Sequence, residues 1–440
     1  MDRKPGSKSR SVFREEQAVV APGQQRIALL SELALASGRG ATLTDLDGNT
    51  YLDFFAGVAV ASLGHAHPAY ISKVEAQLRR ISVGSFTTEN RLKLLTLIAK
   101  LAPGRLGRTQ LFSGGAEAVE AAFRLAMSST GKHEIVGFWG GFHGKTAGVM
   151  GLIGDESKYG WGPLPGGRFS VPYADCARCP FKLRHPDCGL ACADFARHAI
   201  KRTTSGAVAA IVIEPMQGTA GNVIPPAEFL PAIQSIAKEI GALLIADEMI
   251  TGFGRTGRWF GCNHADVVPD IMTVGKGMGN GFPISGVISS DDIVKAEPFS
   301  RASASSSSYG GNPLASTAAL ATLEAIVDEG LVEHAATVGA HMLDRLRAMR
   351  ETYPFLGDVR GAGLMIGVDL VADRRTNELL GRAATERVFL DALQHGLLMM
   401  GYFPRIRINP PLTITREQAD QGLDILDRVF ARAAKEIPAS

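Results

Sequence analysis

Lys276 stands among glycines in Thr273-Val274-Gly275-Lys276-Gly277-Met278-Gly279-Asn280-Gly281, and Asp247-Glu248 closes an apolar run that begins at Ala242. A lysine amine condenses with a carbonyl to a Schiff base and is displaced by an incoming amine. Once freed, it carries protons as a general base. A carboxylate at the end of a second strand can keep a pyridine nitrogen protonated. Glycines on both sides of the lysine let the backbone turn sharply and approach a planar ring. Together the two residues could hold opposite ends of pyridoxal 5′-phosphate. A lone Lys-Gly in a glycine-rich turn is ordinarily a surface feature, so the surrounding motifs must carry the case.

Four of them do. Ser113-Gly114-Gly115-Ala116-Glu117-Ala118 reads as a tight turn opening a helix, suited to holding a phosphate on free backbone N–H groups. Phe138-Trp139-Gly140-Gly141-Phe142-His143-Gly144-Lys145-Thr146 offers an aromatic that could stack on a ring. Thr251-Gly252-Phe253-Gly254-Arg255-Thr256-Gly257 follows the acid directly, and Ser308-Tyr309-Gly310-Gly311-Asn312-Pro313 follows the lysine at a distance. Two look-alikes fail. Gly144-Lys145-Thr146 ends like a Walker A loop but has Trp139 where that loop needs glycine, and the run from Gly275 meets Phe282 where dinucleotide spacing needs glycine.

These residues need a scaffold. Short β-rich runs (Glu134–Phe138, Ala207–Glu214, Ala242–Asp247, Asp270–Val274) alternate with helical stretches, as expected for a mostly parallel sheet covered on both faces. Ligands in such sheets bind beyond the carboxyl ends of strands, where Glu214, Asp247 and Lys276 all fall. Asp47-Gly48 predicts a hairpin within 41–55. Helical periodicity begins after Pro68 and after Gly115, and a long helical pattern covers roughly 313–350. Residues 364–370 predict a strand, 415–435 a terminal helix, and residues 1–20 a flexible arm.

The 440 residues, 45% hydrophobic and 20% charged, allow two sizeable domains. A net charge of +2 gives no reason to propose a nucleic acid or an acidic membrane as partner. Residues 1–17 are polar and of mixed charge, unlike a signal peptide, and no apolar run approaches a membrane span, so a cytoplasmic protein is expected.

In this order and spacing the motifs resemble the class III (ornithine/4-aminobutyrate/ω-amino acid type) pyridoxal phosphate-dependent aminotransferases, from about Thr44 to the C-terminal helix. The resemblance implies an α/β fold of the type I class: a large domain with a mostly parallel seven-stranded sheet and a small α+β domain built from both chain ends. On that pattern the arm (1–20) leads into the small domain's first part (21–67). The large cofactor-binding domain (68–325) follows, and the small domain closes the chain (326–440). A homodimer with shared active sites is implied, and a tetramer stays open.

The resemblance also implies roles. Lys276 matches the Schiff-base lysine, Asp247 the pyridinium partner, and Gly115 and Ala116 the phosphate-binding helix start. Phe142 matches the ring-stacking aromatic, Glu214 the family's Glu-Pro glutamate, and Met249 an aliphatic residue under the ring. Ser308 stands where the family usually has a threonine reaching the phosphate of the neighbouring subunit's cofactor. Arg407, in Arg407-Ile408-Asn409-Pro410-Pro411-Leu412, matches an arginine that grips an α-carboxylate by a planar two-point contact, and Val58 lies on a small apolar wall, Gly57–Val60. Thr219 and Ile250 depart from the glutamate and glutamine of many relatives, which sets the chain apart from ornithine-type members. The implied activity moves an amino group from an amino acid or ω-amine to a 2-oxo acid. A racemase, epimerase or specialised lyase would share every cofactor residue; a non-catalytic relative is the remote alternative.

Four of five cysteines crowd into an insertion, 174–194, as Cys176-x2-Cys179-x8-Cys188-x3-Cys192. The spacing admits a four-cysteine metal knuckle, reduced thiols or disulfides. His65 and His67 read as structural, and His143 as support for its loop.

Overall fold

The computed structural model describes residues 5–437. They form two compact units: Ala69–Val332, and a unit that takes the chain up to Pro68 and resumes at Glu333.

Ala69–Val332 is built on seven strands: β1 (Arg108–Phe112), β2 (Glu134–Phe138), β3 (Arg168–Val171), β4 (Val208–Ile213), β5 (Leu243–Asp247), β6 (Ile271–Val274) and β7 (Ser285–Ser289). Their order in the sheet is β1-β7-β6-β5-β4-β2-β3. Neighbours from β6 to β3 run parallel, whereas β7 is antiparallel to both β1 and β6. β4 (Val-Ala-Ala-Ile-Val-Ile) is buried along its whole length, as a strand covered on both faces should be.

Alternation along β2 shows the two faces. Ile135 joins a core with the helix Gly115–Thr130, whose Ala118, Val119, Ala121, Ala122 and Phe123 are all buried. The small residues at 118, 121 and 122 let that helix approach the sheet closely. Phe138, three residues on, points the other way. Its ring packs edge-on against Phe229 of the helix Phe229–Glu239, which buries Phe229, Leu230, Ile233, Ile236 and Ala237 at helical spacing. The helical pattern expected across 313–350 is broken into Pro313–Asp328 and Leu331–Thr352, because Gly330 takes a left-handed conformation (φ 62°) between them.

In the other unit the chain ends build one sheet together. Leu35–Arg39, Thr42–Asp45 and Thr50–Asp53 pair antiparallel, and Leu397–Leu398 adds in parallel beside Leu52–Asp53. The expected hairpin is present. Gly48 is left-handed there (φ 85°), and the Asp45 carboxylate accepts the N–H groups of Asp47 and Asn49 at 3.0 and 2.8 Å. Ile27, Leu43 and Tyr51 share a core with Phe389, Leu393 and Leu398. A second sheet pairs Met365–Asp373 with Leu356–Ala362, Glu378–Leu379 and Arg405–Ile408. The segment expected to be an arm contains a helix, Ser7–Gln17, because Asp47 accepts the Lys8 and Ser9 N–H groups of its first turn. Among the described residues no helix is long and apolar enough to cross a membrane.

Candidate active site

β5 and β6 are adjacent, with Asp247 opposite Thr273, so Asp247 and Lys276 emerge at the same edge of the sheet. Asp247 is 2% exposed. Its Oδ1 accepts from Thr273 Oγ1 at 2.9 Å and from the Met249 N–H at 3.2 Å, while Oδ2 lies 2.7 Å from His143 Nδ1. Burial alone would lower the pKa of His143. The hydrogen bond to Asp247 and the charges of Asp247 and Glu214 outweigh it and raise the value. The pair is therefore mutually supporting: the Asp247 carboxylate favours a protonated His143, and His143 gives that buried carboxylate a close partner.

Lys276 follows β6 and opens a short 3-10 turn, Lys276–Met278, at φ 39°. That backbone conformation is unusual for a residue with a side chain and is a strain of the kind stored at functional sites. The glycines around it are needed for space. A Cβ on Gly275 would stand 2.7 Å from Met249 Sδ, and one on Gly115 would stand 3.4 Å from the same sulfur. Met249 thus lies between the lysine loop and the helix start.

That helix begins with Gly115 and is capped by Gly114. Glu117 accepts the Ser113 and Gly114 N–H groups, and the first intrahelical bond is Ala118 N–H to Gly114 O. The N–H groups of Gly115, Ala116 and Glu117 precede that bond, which leaves the turn suited to an anion. Ser285 Oγ, at the start of β7, donates to Gly114 O at 2.8 Å and pins the turn.

Phe142 belongs to the loop after β2. Glu214 Oε1 accepts the Phe142 N–H at 3.0 Å, and Oε2 accepts the Gly218 N–H at 2.9 Å. Burial pushes the Glu214 carboxyl up. Gln217 Nε2 donates to Trp139 O at 2.8 Å, and the buried Tyr173 hydroxyl reaches Glu214 O and Pro215 O at 3.0 and 3.1 Å. Gly144 (φ 123°) closes the loop onto the helix start: a Cβ there would lie 2.4 Å from Ala116 Cβ. Lys276, Asp247, Met249, Gly115, Ala116, Phe142 and Glu214 are therefore linked into one neighbourhood. Ser308 is exposed, in a loop outside these contacts.

Val58 and Arg407 lie in the other unit. Val58 sits in a left-handed turn, Ala56–Ala59, with φ of 46°, 62°, 67° and 61°. The buried Asp53 supports it, accepting the Phe55 and Ala56 N–H groups at 2.9 and 2.7 Å and bonding His65 Nε2 at 2.8 Å. Arg407, 8% exposed, is on the strand Arg405–Ile408. Asn409, two residues later, donates its N–H to Phe54 O at 2.9 Å, which ties that strand's end to the segment entering the turn. Ile250 packs over Gly218, where a Cβ would meet Ile250 Cδ1 at 2.2 Å.

His143 and Thr273 as partners of Asp247, and Tyr173 beneath Glu214, were not singled out by sequence spacing. Their partners lie 104, 26 and 41 residues away. The one available signal was the position of His143 beside Phe142. The four insertion cysteines are unbridged, and no metal-holding set of three His, Cys, Asp or Glu stands assembled among the described residues. Burial first, then Cys192, Cys188 and Cys179, push the Cys176 thiol up to about 11. A thiol so poorly ionised is no nucleophile at neutral pH.

The residues fit pyridoxal 5′-phosphate. A carboxylate offers about four lone-pair sites, and Asp247 has three described donors, so it can accept one more N–H. The glycine-lined turn at Gly115 suits a phosphate and Lys276 an aldehyde.

The aminotransferase class-III family matches residues 24–430. The chain is 37% identical over 404 residues to acetylornithine aminotransferase of Methanothermobacter thermautotrophicus, covering 91% of this chain and 94% of that enzyme. It is 34% identical over 434 residues to leucine/methionine racemase of Thermococcus litoralis, covering 95% and 94%. The structure of an amine transaminase from an uncultivated Pseudomonas species, with pyridoxal phosphate bound, matches at a TM-score of 0.88 and 31% identity, over 94% of this chain and 98% of that one. A lysine and a charge-supported aspartate at adjacent strand ends thus sit in a chain that belongs to the class III aminotransferase family, whose cofactor is pyridoxal 5′-phosphate.

Proposed function

We propose that the protein is an aminotransferase that moves an amino group from an amino acid or ω-amine to a 2-oxo acid. The observation that carries this reading is the pairing of Lys276 with a buried Asp247 whose charge His143 and Thr273 support. The bound cofactor supplies an aldehyde to receive the amino group and a ring that spreads the electrons left when Cα loses its proton. Asp247 keeps the ring nitrogen protonated. Lys276, once freed, would act as the base that takes up and gives back the Cα proton. The N–H groups of Gly115 and Ala116 would hold the phosphate, and Phe142, held by Glu214, and Met249 would pack against the ring. Arg407 receives the α-carboxylate beside the apolar wall of Val58. Ser308 serves the phosphate of the neighbouring subunit in a homodimer with shared active sites, and the protein acts in the cytoplasm.

A second reading is favoured by the near-equal similarity to a leucine/methionine racemase. There Lys276 and a second group return the proton to Cα with inversion. Incubating the cofactor-loaded enzyme with a panel of amines and no 2-oxo acid separates the two. The expected result is one equivalent of carbonyl product per site by mass spectrometry, absent in Lys276→Ala. Inverted amino acid without carbonyl product would overturn amino transfer in favour of racemisation.

A further inference from the structure

Residues 174–194 contain no strand and, before the helix Ala191–Thr203, only the short 3-10 turn Cys176–Arg178. About twenty residues cannot build a hydrophobic core of their own and ordinarily need a staple. The described apolar ring contact is Phe181 on Phe195, and Phe195 is 43% exposed.

What gathers inside the segment is sulfur. Cys176 and Cys179 flank the 3-10 turn, Cys188 follows in the loop, and Cys192 lies in the first turn of the helix. All four border a single cavity of about 20 Å³, together with Leu183 and Leu190. The backbone around them is fixed by hydrogen bonds from Arg178 N–H to Asp175 O, Lys182 N–H to Cys179 O, Cys188 N–H to Arg184 O and Ala191 N–H to Cys188 O, at 2.9 to 3.1 Å. A space of this size takes about one water-sized sphere, and a water needs two to four good polar partners. The wall also carries Asp175 and His185, but four of its residues are cysteines, whose thiols are weak partners for water. Thiolate sulfur is instead the preferred donor for a soft divalent cation in tetrahedral geometry. His185, which also borders the cavity, has its Nε2 3.7 Å from the Glu228 carboxylate. Asp175 borders the cavity too, but the four cysteines supply a complete tetrahedral set of soft donors without it.

We propose that Cys176, Cys179, Cys188 and Cys192 bind one zinc-type divalent ion as a structural staple of this segment. All four cysteines line the cavity, although no metal-holding set stands assembled among the described residues, so binding requires the cysteine side chains to turn about their single torsion toward one another. Each ligating thiol gives its proton to solvent as its zinc–sulfur bond forms, and nothing is oxidised or reduced. The staple reaches the active site through Tyr173, which lines the same cavity and whose hydroxyl holds the Glu214 and Pro215 carbonyls.

The test uses the full chain, incubated with Zn²⁺ and then dialysed, with metal measured by mass spectrometry. The expected content is about one zinc per chain, with the four thiols alkylating at least about tenfold more slowly than after its removal. Cys176→Ser and Cys192→Ser should each lower retained zinc more than about tenfold, while Cys262→Ser keeps it. Zinc well below stoichiometry in the unmodified chain overturns the proposal, as does a non-reduced mass showing two disulfides. Full zinc retention by Cys176→Ser also overturns it. If the serine variants aggregate, zinc content and thiol protection of the unmodified chain decide alone.

Discussion

Replacing Glu214 with glutamine isolates the clamp that holds the Phe142 loop. Each carboxylate oxygen accepts one backbone N–H, from Phe142 at 3.0 Å and from Gly218 at 2.9 Å. An amide of the same shape has one acceptor, so one N–H keeps its partner and the other faces an NH2 group. A hydrogen bond to a charged group contributes about 1.5–3 kcal/mol. At about 1.4 kcal/mol per tenfold, the loop opens roughly ten- to a hundredfold more readily. Global stability should fall by less, because the carboxylate is buried at a cost that raises its pKa, and a neutral amide avoids that cost. The assays are hydrogen exchange at the Phe142 and Gly218 amides and cofactor affinity by visible-absorbance titration. Exchange at one of the two amides should accelerate and affinity should fall by about tenfold or more. Glu239→Gln, on the exposed partner of Arg197, serves as the control and should change neither. Exchange and affinity both within about twofold of the unmodified protein would refute the clamp.

Three further outcomes follow from the same geometry. The pKa of His143 is raised in the folded state, so its contribution to stability is full below about pH 6.5 and is lost as pH rises through the folded value. His143→Gln should remove that part of the decline in melting temperature above about pH 6.5, and identical slopes in both proteins would contradict the assignment. Gly144→Ala forces a side chain into a left-handed backbone 2.4 Å from Ala116 Cβ. It should cost at least about 2 kcal/mol in chemical denaturation and weaken cofactor retention; unchanged unfolding would show that the loop does not rest on the helix start. Arg407→Ala should raise KM for α-amino acids by roughly ten- to a hundredfold, through loss of a charge-assisted two-point contact, and leave amines without a carboxylate unaffected. Equal effects on both substrate classes would argue against a carboxylate-binding arginine.

Local chemistry was legible wherever one short segment decides the outcome. Asp47-Gly48 dictates its hairpin, the apolar run before Asp247 its buried strand, and Gly114-Gly115 a helix start. What could not be read depends on partners far along the chain. Ser285–Ser289 runs against its neighbours because it must pair with both Arg108–Phe112 and Ile271–Val274. The left-handed turn at Ala56–Ala59 holds one glycine and three residues that ordinarily avoid that conformation, and the Asp53 carboxylate helps impose it. The break at Gly330 had a signal in the glycine itself, overridden on reading by the strong helical pattern on either side. His143 is the functional case: a histidine beside an aromatic says little until a carboxylate 104 residues away supplies its proton's partner.

The parallel pairing of Leu52–Asp53 with Leu397–Leu398 has a consequence for biosynthesis. Roughly 345 residues separate the two strands, and at about 5–20 residues per second the first waits some 20–70 s for the second to be made. Throughout that interval Leu43 and Tyr51 lack the covering they later receive from Phe389, Leu393 and Leu398. The nascent chain therefore leaves the ribosome with its sheet-forming front end sticky and unfinished while Ala69–Val332 is being made. Slowing synthesis between those two strands should therefore raise aggregation, whereas slowing it before Leu52 or after Leu398 should not.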